Sequence, residues 1–254
     1  MRIDELKHYK TEDSRTVRLE RDSEAIIDII QTQCSEAVAC AKKGNILYKG
    51  FTILDEYAFR IDPSKKARVS ANTSNYYTLL MDNLPVWKDY PKRSRSLICS
   101  TNKSGANCFG TTYAIFPVNG SRIGICPKED MWDILFVNKH SIDGMNEFYN
   151  DSGISDKSYE QFITSMFQKK DVLEQNFYPY CPSVSHDIMN TKSEAELISV
   201  LNKWYDPTRL KFKLTTTANI PSSKKTREVW TDGKSYALHT GYYFNVIANI
   251  VKWS

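Results

Sequence analysis

The chain has 254 residues, of which 41% are hydrophobic and 25% are charged, and its formal net charge is +4. This length can bury a sizeable core, and this composition is typical of a globular protein. No apolar run approaches the roughly 18 residues that a membrane span requires. Residues 1–22 also lack the apolar stretch of a signal peptide. We therefore expect a cytoplasmic location and no membrane as a partner.

Several common kinds of enzyme site are missing from the sequence. The six cysteines show no C-x-x-C spacing and no histidine cluster beside them. The sequence therefore predicts neither a zinc site nor a disulfide framework, but reduced and mostly buried thiols. The motifs G-x-x-x-x-G-K-[ST], G-x-G-x-x-G, G-x-S-x-G and H-E-x-x-H are absent as well. Hydrolase triads and metal chemistry are thus unsupported, and we expect no metal.

The first part of the chain predicts one long helix and one strand. Residues 1–20 are charged and aperiodic, so we expect a flexible arm there. Residues 22–41 carry apolar side chains at helical spacing behind an Asp or Ser cap, and Gly44 follows as a stop signal. The run ILYKGF, residues 46–51, is typical of a buried strand. The polar stretch 55–71 contains a proline and predicts a loop or a weak hairpin.

The middle of the chain predicts two strands between helical segments. A cap and apolar positions within residues 72–83 predict a short helix that ends before a proline. SLICST (96–101) and TTYAIFPV (111–118) predict strands, and an Asn-Gly turn then leads into a short extended piece. Residues 128–136 predict one or two helical turns, and residues 141–206 predict helix almost throughout.

Strand patterns return in the last fifty residues. They are LKFKLTTT, REVWTD, KSYALHT and YYFNVIANIVKW, with Asp232-Gly233 as a hairpin turn between the second and the third. Strands at both ends around a helical middle predict an α+β fold. We expect a single domain over residues 21–254, with residues 141–206 as a helical insertion or lobe.

Positive charge is concentrated in residues 88–103, which we call the basic strip. Five basic residues stand there against the single acidic Asp89, namely Lys88, Lys92, Arg93, Arg95 and Lys103. Two interpretations fit this pattern. One is a solvated basic face, and the other is an anion site for a pyrophosphate or a nucleic-acid backbone.

Three short segments form a sparser constellation of polar groups. Tyr48-Lys49-Gly50 places a cation at the end of a strand, beside a glycine that lets another group approach closely. Ser100-Thr101-Asn102 supplies hydroxyls at the end of a strand. Glu228 opens a late strand after a Ser- and Lys-rich loop. A cation, a hydroxyl pair and a carboxylate on three strands can hold an anionic dinucleotide and support positive charge that develops on a sugar.

In their order and spacing these segments resemble the ADP-ribosyltransferase fold, in its Arg-Ser-Glu subclass. That family has an aromatic-Arg-Gly strand, a Ser-Thr-Ser strand followed by an Ala and an aromatic residue, and a Glu-x-Glu or Gln-x-Glu turn. The chain has LYKG, an STN strand end with the spacing S-T-x-x-x-x-A-x-x-F, and a late Glu. The similarity covers residues 46–126 and 220–240. FGTTYAIFPVNG is also similar to uncharacterised bacteriophage proteins, which implies the host cytoplasm as the location.

The resemblance implies a fold with split β-sheets, to which an N-terminal helix and a helical insertion are added, and it implies NAD as the substrate. Glu228 would be the catalytic residue, bonding the ribose 2′-hydroxyl and stabilising the oxocarbenium-like transition state as nicotinamide leaves. The other expected contacts to NAD come from Ser100 and Thr101 at the ribose, Lys49 in place of the family's arginine, Arg68 as a substitute guanidinium, and Tyr113, Tyr48 and Phe109 near the nicotinamide ring.

Three departures from the family's pattern bear on the activity. Lys49 lacks the bidentate fork of arginine, which implies an altered cofactor contact. Asn102 ends the hydroxyl motif in place of serine. Thr226 stands two residues before Glu228, where the family has the Glu or Gln that orients an arginine acceptor. The resemblance thus implies transfer of ADP-ribose to a protein or nucleic acid at a group other than arginine, or hydrolysis of the dinucleotide.

A second hypothesis belongs to a different class of protein. A degenerate transferase fold without activity would use the basic strip to grip nucleic acid or a partner protein, with four aromatic residues interleaved, Tyr76, Tyr77, Trp87 and Tyr90. Such binding weakens steeply with ionic strength and is indifferent to Glu228. Cleavage of NAD, in contrast, depends on Glu228.

Overall fold

The structure is a computed structural model that describes residues 16–18, 23–52, 57–68, 76–131, 133–134, 163, 166–167, 193–222 and 224–252. The chain divides into two compact units. Unit 1 comprises Met1–Arg68, Tyr90–Asp130 and Phe212–Ser254, and unit 2 comprises Val69–Asp89 and Met131–Lys211. The helical lobe expected over residues 141–206 falls within unit 2, and most of it lies outside the described residues.

The described elements of unit 1 are both strands and helices, which confirms the α+β class. The strands are β1 (Thr16–Arg18), β2 (Leu47–Phe51), β3 (Ala58–Ile61), β4 (Leu97–Ser100), β5 (Thr111–Pro117), β6 (Arg122–Ile125), β7 (Lys213–Thr216), β8 (Glu228–Thr231) and β9 (Ser235–His239). The helices of this unit are α1 (Ser23–Gln33), α2 (Ser35–Lys42), α4 (Lys103–Asn107) and α6 (Phe244–Lys252). Unit 2 contains α3 (Tyr76–Asn83) and α5 (Glu194–Trp204).

The strands of unit 1 pair into one antiparallel sheet in the order β1-β3-β9-β5-β2-β4-β8-β6-β7. The hairpin predicted at Asp232-Gly233 is wrong, because β8 pairs with β4 and β6 whereas β9 pairs with β3 and β5. The Asp232 carboxylate instead accepts a hydrogen bond from the Arg122 guanidinium at 2.6 Å. A turn signal reports only that the chain reverses there, and the choice of neighbouring strands is made by packing elsewhere.

Very little pairing joins the two sides of the sheet at its middle. β2 and β4 share a single register pair, Tyr48 with Ser100, whereas β2 pairs with β5 along its whole length. Beside that pair, the Lys49 ammonium donates to the carbonyl of Ile98 at 3.0 Å, so a side chain takes the place of a backbone ladder bond. We call this place the β2–β4 junction. It separates a five-strand side, β1-β3-β9-β5-β2, from a four-strand side, β4-β8-β6-β7.

The hydrophobic core of unit 1 packs α1, α2 and α6 onto the sheet. Its members include Ile30 and Ile250 from helices, and Leu47, Phe59 and Ile115 from strands, all fully or almost fully buried. The helices contribute one apolar stripe each, and the strands contribute alternate residues. Burial of this surface is the main force that holds the unit together.

The helix predicted over residues 22–41 is interrupted at Cys34, where α1 ends and α2 begins. The Gln33 carbonyl accepts from the amide of Asn119 at 2.8 Å, and the Cys34 thiol donates to the carbonyl of Phe116 at 3.3 Å. Burial raises the pKa of this thiol to about 12, so it stays protonated and able to donate. The break therefore lets the helical pair hold the chain between β5 and β6.

Three predictions about segments of the chain are wrong. The stretch 55–71 contains β3, which pairs with β1 and β9 and buries Phe59 and Ile61. The run 242–253, predicted as a strand, contains α6 instead. An apolar run of this length and composition suits either state, and contacts with α1 and α2 decide it. Residues 16–18, expected in a flexible arm, form β1 against β3.

The other described elements agree with their predictions in type. The strands expected at 46–51, 96–101 and 111–118 are present as β2, β4 and β5, and the short helix within 72–83 is present as α3. Gly44 has the positive φ of a helix stop, +80°. The described cysteines are free thiols, and four of these five are buried, Cys34, Cys40, Cys99 and Cys126.

Candidate functional site

Three residues of the predicted constellation lie in one row across the β2–β4 junction. Ser100, at the end of β4, is the register partner of both Tyr48 on β2 and Glu228 on β8. Directly opposed residues of antiparallel strands place their side chains on the same face of the sheet. The Ser100 hydroxyl therefore lies on the same face as the Tyr48 ring and the Glu228 carboxylate. We call these three residues the Tyr-Ser-Glu row.

Glu228 is buried and forms an ion pair with Arg93. Nη2 of Arg93 donates to Oε1 of Glu228 at 2.6 Å, and the two side chains are 3% and 11% exposed. A hydrogen bond between charged groups at this distance is among the stronger polar contacts in a protein, and it fixes the orientation of both groups. The guanidinium that reaches the candidate catalytic residue is thus supplied by Arg93.

Arg93 was not among the predicted site residues. The sequence places it in the basic strip, and no local pattern distinguishes it from its exposed neighbours Lys92 and Arg95. Its partner is 135 residues away in the sequence, so only the fold reveals the pair. Arg68 is the predicted substitute guanidinium. Its backbone lies beside that of Ser94, the residue after Arg93, because the Arg68 amide donates to the Ser94 carbonyl at 2.6 Å.

Thr101 connects the end of β4 to the segment that precedes Glu228. Its side chain is completely buried, and its hydroxyl donates to the carbonyl of Lys225 at 2.7 Å and accepts from the amide of Arg227 at 3.0 Å. Its own amide donates to the carbonyl of Arg227 at 3.1 Å. The structure thus places Thr101 as a structural clamp, with its hydroxyl already engaged as both donor and acceptor.

Replacing Thr101 by valine tests this clamp. Valine has nearly the same shape but no hydroxyl, so the carbonyl of Lys225 and the amide of Arg227 each lose a partner in a part-buried contact. We expect the free energy of unfolding to fall by about 1–3 kcal/mol. Urea denaturation measures the loss, and Thr111→Val at an exposed position of β5 is the control. Equal stability of the two variants would contradict the clamp.

The short helix α4 covers the row where it meets β2. Ser100 Oγ accepts from the amide of Asn102 at 3.1 Å, and a Cβ added at Gly105 would lie 2.9 Å from both Ser100 Oγ and Thr226 Cγ2. A Cβ at Gly50 would overlap the Ala106 carbonyl oxygen. The close approach predicted at Gly50 is therefore confirmed, and the approaching group is the backbone of α4.

Two predicted cofactor-binding residues lie away from the row. Lys49 follows Tyr48 along β2 and pairs in register with Tyr113 on β5, so both side chains belong to the opposite face. The Lys49 ammonium lies 5.3 Å from the centre of the Phe51 ring. Tyr113 is completely buried, with its ring edge against Phe51 and Phe59. The structure therefore does not bring these two side chains together with Ser100 and Glu228.

Two buried thiols adjoin Glu228. Cys99 precedes Ser100, and the amide of Cys126 donates to the backbone carbonyl of Glu228 at 2.9 Å. Burial raises the pKa of each thiol to about 12. Both are therefore protonated at neutral pH, and neither supplies the thiolate that nucleophilic catalysis requires.

Three aromatic residues of the alternative hypothesis, Tyr77, Trp87 and Tyr90, contribute to packing within their units. In unit 2, Tyr77 and Trp87 are 3% and 2% exposed, and the Trp87 indole donates to the carbonyl of Tyr205 at 2.8 Å. In unit 1, Tyr90 stacks on Trp230 with 6.1 Å between ring centres. Tyr77 and Trp87 are therefore inaccessible to a stacking base, whereas Tyr90 is partly exposed.

The chain matches no known protein family, and no curated protein and no solved structure is similar to it. Within the described ranges, no helix combines the length and hydropathy that crossing a bilayer requires. Over the same ranges, His, Cys, Asp and Glu side chains form no group of three that could hold a metal ion. The functional conclusion therefore rests on the geometry of the Tyr-Ser-Glu row.

Proposed function

We propose that the chain is an NAD-dependent ADP-ribosyltransferase that breaks the bond between nicotinamide and ribose and transfers ADP-ribose to a macromolecule. The observation that carries this proposal is the Tyr-Ser-Glu row, in which a hydroxyl and a carboxylate occupy opposed positions of neighbouring strands. As the electron pair of the glycosidic bond leaves with nicotinamide, positive charge develops on the ribose. A fixed carboxylate beside the ribose stabilises that charge.

The β2–β4 junction supports the same proposal. Split β-sheets are part of the fold that the resemblance implies, and we propose that the junction corresponds to this split. The pairing there is reduced to Tyr48 and Ser100. Beside that pair, the Ile98 carbonyl of β4 accepts from the Lys49 ammonium. The proposed site therefore lies where continuous pairing across the sheet is reduced.

The Arg93–Glu228 ion pair gives the carboxylate a defined orientation. Oε1 of Glu228 accepts a hydrogen bond from Arg93. The strand β8, which carries Glu228, pairs with β4. The Glu228 amide also donates to the carbonyl of Lys128, which follows β6, at 3.0 Å. A carboxylate that is already oriented needs little reorganisation in the transition state, which is the condition for efficient electrostatic catalysis. In this proposal Arg93 is a positioning residue.

The test is the release of nicotinamide from NAD by the purified chain. We expect Glu228→Gln to lower the rate by about 100-fold to 1,000-fold, because the amide is neutral and cannot stabilise the developing charge. Glu129→Gln, at an exposed position, is the matched control and should keep the wild-type rate. Stimulation of release by a cell lysate would indicate transfer rather than hydrolysis. If the wild-type chain neither releases nicotinamide nor binds NAD in calorimetry, the proposal fails.

A further inference from the structure

Positive charge is segregated in the segments that surround the Tyr-Ser-Glu row. Residues 90–128 contain six Lys or Arg and no Asp or Glu, and residues 212–227 contain four Lys or Arg and no Asp or Glu. The whole chain, in contrast, has 34 basic and 30 acidic residues. The net charge of +4 therefore understates the local positive charge in these two segments.

The fold brings the ends of these segments together beside the row. Thr101 bonds to the backbone of Lys225 and Arg227, so the segment that precedes Glu228 lies along the chain between Ser100 and α4. Lys103 is the first residue of α4. Lys103, Lys224 and Lys225 are exposed, and Arg227 is partly exposed. We call the four basic side chains Lys103, Lys224, Lys225 and Arg227 the cationic surface.

The cationic surface is not neutralised by the described part of the chain. Among the described residues, none of its four side chains takes part in an ion pair. Glu228, which adjoins it, is already paired with Arg93. Residues 90–128, which contain no Asp or Glu, are followed by Glu129 and Asp130. The carbonyl of Lys128 accepts a hydrogen bond from the Glu228 amide. A group of neighbouring cations without ion-pair partners is typical of a surface that binds a polyanion.

An exposed aromatic ring accompanies these cations. Phe109 follows α4 and is 62% exposed. Base stacking on an accessible ring stabilises binding and tolerates any base, because every base has a π-face. Basic side chains at one end of α4 and an accessible ring at the other suit a nucleic-acid strand, whose phosphates and bases need both, better than an acidic protein.

From this placement we propose that the acceptor of ADP-ribose is a nucleic-acid strand, whose phosphates lie on the cationic surface and one of whose bases stacks on Phe109. This proposal rests on the proposed function and names its substrate class. In the transfer, the bond from ribose C1′ to the nicotinamide nitrogen breaks and its electron pair leaves with nicotinamide. An oxygen or nitrogen atom of the nucleic acid forms the new bond to C1′ and releases its proton to solvent.

The first experiment measures binding of a fluorescein-labelled single-stranded oligothymidylate by fluorescence anisotropy. Four neutralised phosphates predict a slope of about −2.8 for log affinity against log salt, which is about a 50-fold loss between 50 and 200 mM salt. The triple variant Lys224→Gln, Lys225→Gln, Arg227→Gln should reduce that loss to about 3-fold. The matched control removes the same charge at three other exposed positions, with Lys42→Gln, Lys43→Gln and Lys66→Gln.

Two outcomes of the binding experiment would overturn the proposal. One is an equal salt dependence in wild type and the triple variant, and the other is an equal effect of the triple variant and the control. Polyglutamate is the competitor. If it displaces the oligonucleotide as well as unlabelled oligothymidylate does at equal charge, the surface is a general anion site and the assignment to nucleic acid is wrong. Phe109→Ala should weaken binding without changing the salt slope, because it removes stacking and no charge.

The second experiment separates this proposal from the function on which it rests. Wild-type chain is incubated with NAD carrying a label in its adenylate part, with and without the oligonucleotide. Transfer of label to the oligonucleotide supports both proposals. RNA and duplex DNA of matching sequence are tested in the same way. If nicotinamide is released but none of these nucleic acids is labelled, the proposal of a nucleic-acid acceptor is wrong and the proposed enzymatic activity stands. Salt-dependent binding without any nicotinamide release overturns the enzyme and leaves the cationic surface as a binding site.

Discussion

The variant Arg93→Ala is expected to lose about 3–5 kcal/mol of unfolding free energy, as removal of one partner from a buried ion pair does. The guanidinium is 3% exposed and bonds to Oε1 of Glu228 at 2.6 Å, so its removal leaves a carboxylate in a buried position without that compensating charge. Urea denaturation at neutral pH, with the denaturant dependence compared between variants, measures the effect.

The control for this prediction is two residues away. Arg95 belongs to the same 3-10 helix but is exposed, and its guanidinium donates to the carbonyl of Ser64 at 3.0 Å. Arg95→Ala should cost about 1 kcal/mol or less, as loss of an exposed contact does. The double variant Arg93→Met, Glu228→Gln removes both charges and should recover most of the stability. Equal losses for Arg93→Ala and Arg95→Ala would contradict the buried pair.

The second large effect is expected from Trp230→Ala, at about 3–5 kcal/mol. Trp230 is completely buried on β8, its ring edge contacts Phe212, and its indole donates to the carbonyl of Pro91 at 2.8 Å. Truncation therefore removes a large apolar surface and leaves both a cavity and a carbonyl without its donor. The midpoint and free energy of urea unfolding measure the loss, and Trp230→Phe should cost less because it keeps most of the ring.

A double-mutant cycle checks the packing that this prediction assumes. Gly124 on β6 is the register partner of Trp230, and a Cβ at Gly124 would overlap the indole ring. Gly124→Ala should therefore destabilise the wild type by about 1–3 kcal/mol. In the Trp230→Ala background the methyl group enters vacated space, so the cost should disappear or reverse in sign. Additive costs would show that the ring does not lie over Gly124.

The elements that were predicted correctly are those with a strong local signal. β2, β4 and β5 are short apolar runs bounded by polar or glycine residues, and the stop at Gly44 needs only the positive φ that glycine permits. β3 lies in a polar stretch of the sequence, and its strand state depends on pairing with β1 and β9. These partners are distant in the sequence, so no local pattern predicts the pairing. α6 has the composition of a strand, and its helical state depends on what packs against it.

The same distinction holds for the candidate site. The order of motifs along the chain points to Ser100 and Glu228, and the register of β4 with β8 makes them opposed residues. Side chains alternate between the two faces of a strand, so the face on which Lys49 lies depends on the register of β2 with its neighbours. The sequence does not reveal that register. The burial of Arg93 depends on a carboxylate 135 residues away, so an apparently solvated charge became the partner of the candidate catalytic residue.

The position of β8 and β9 within the sheet has a consequence for biosynthesis. These strands are synthesised late, yet β8 is inserted between β4 and β6, and β9 between β3 and β5. A nascent chain that has emerged only as far as β7 presents four unpaired strand edges where the finished sheet has continuous pairing. Open edges of this kind recruit strands from other chains. Until β8 and β9 are in place, we therefore expect these edges to be open to pairing with neighbouring chains on the same polysome.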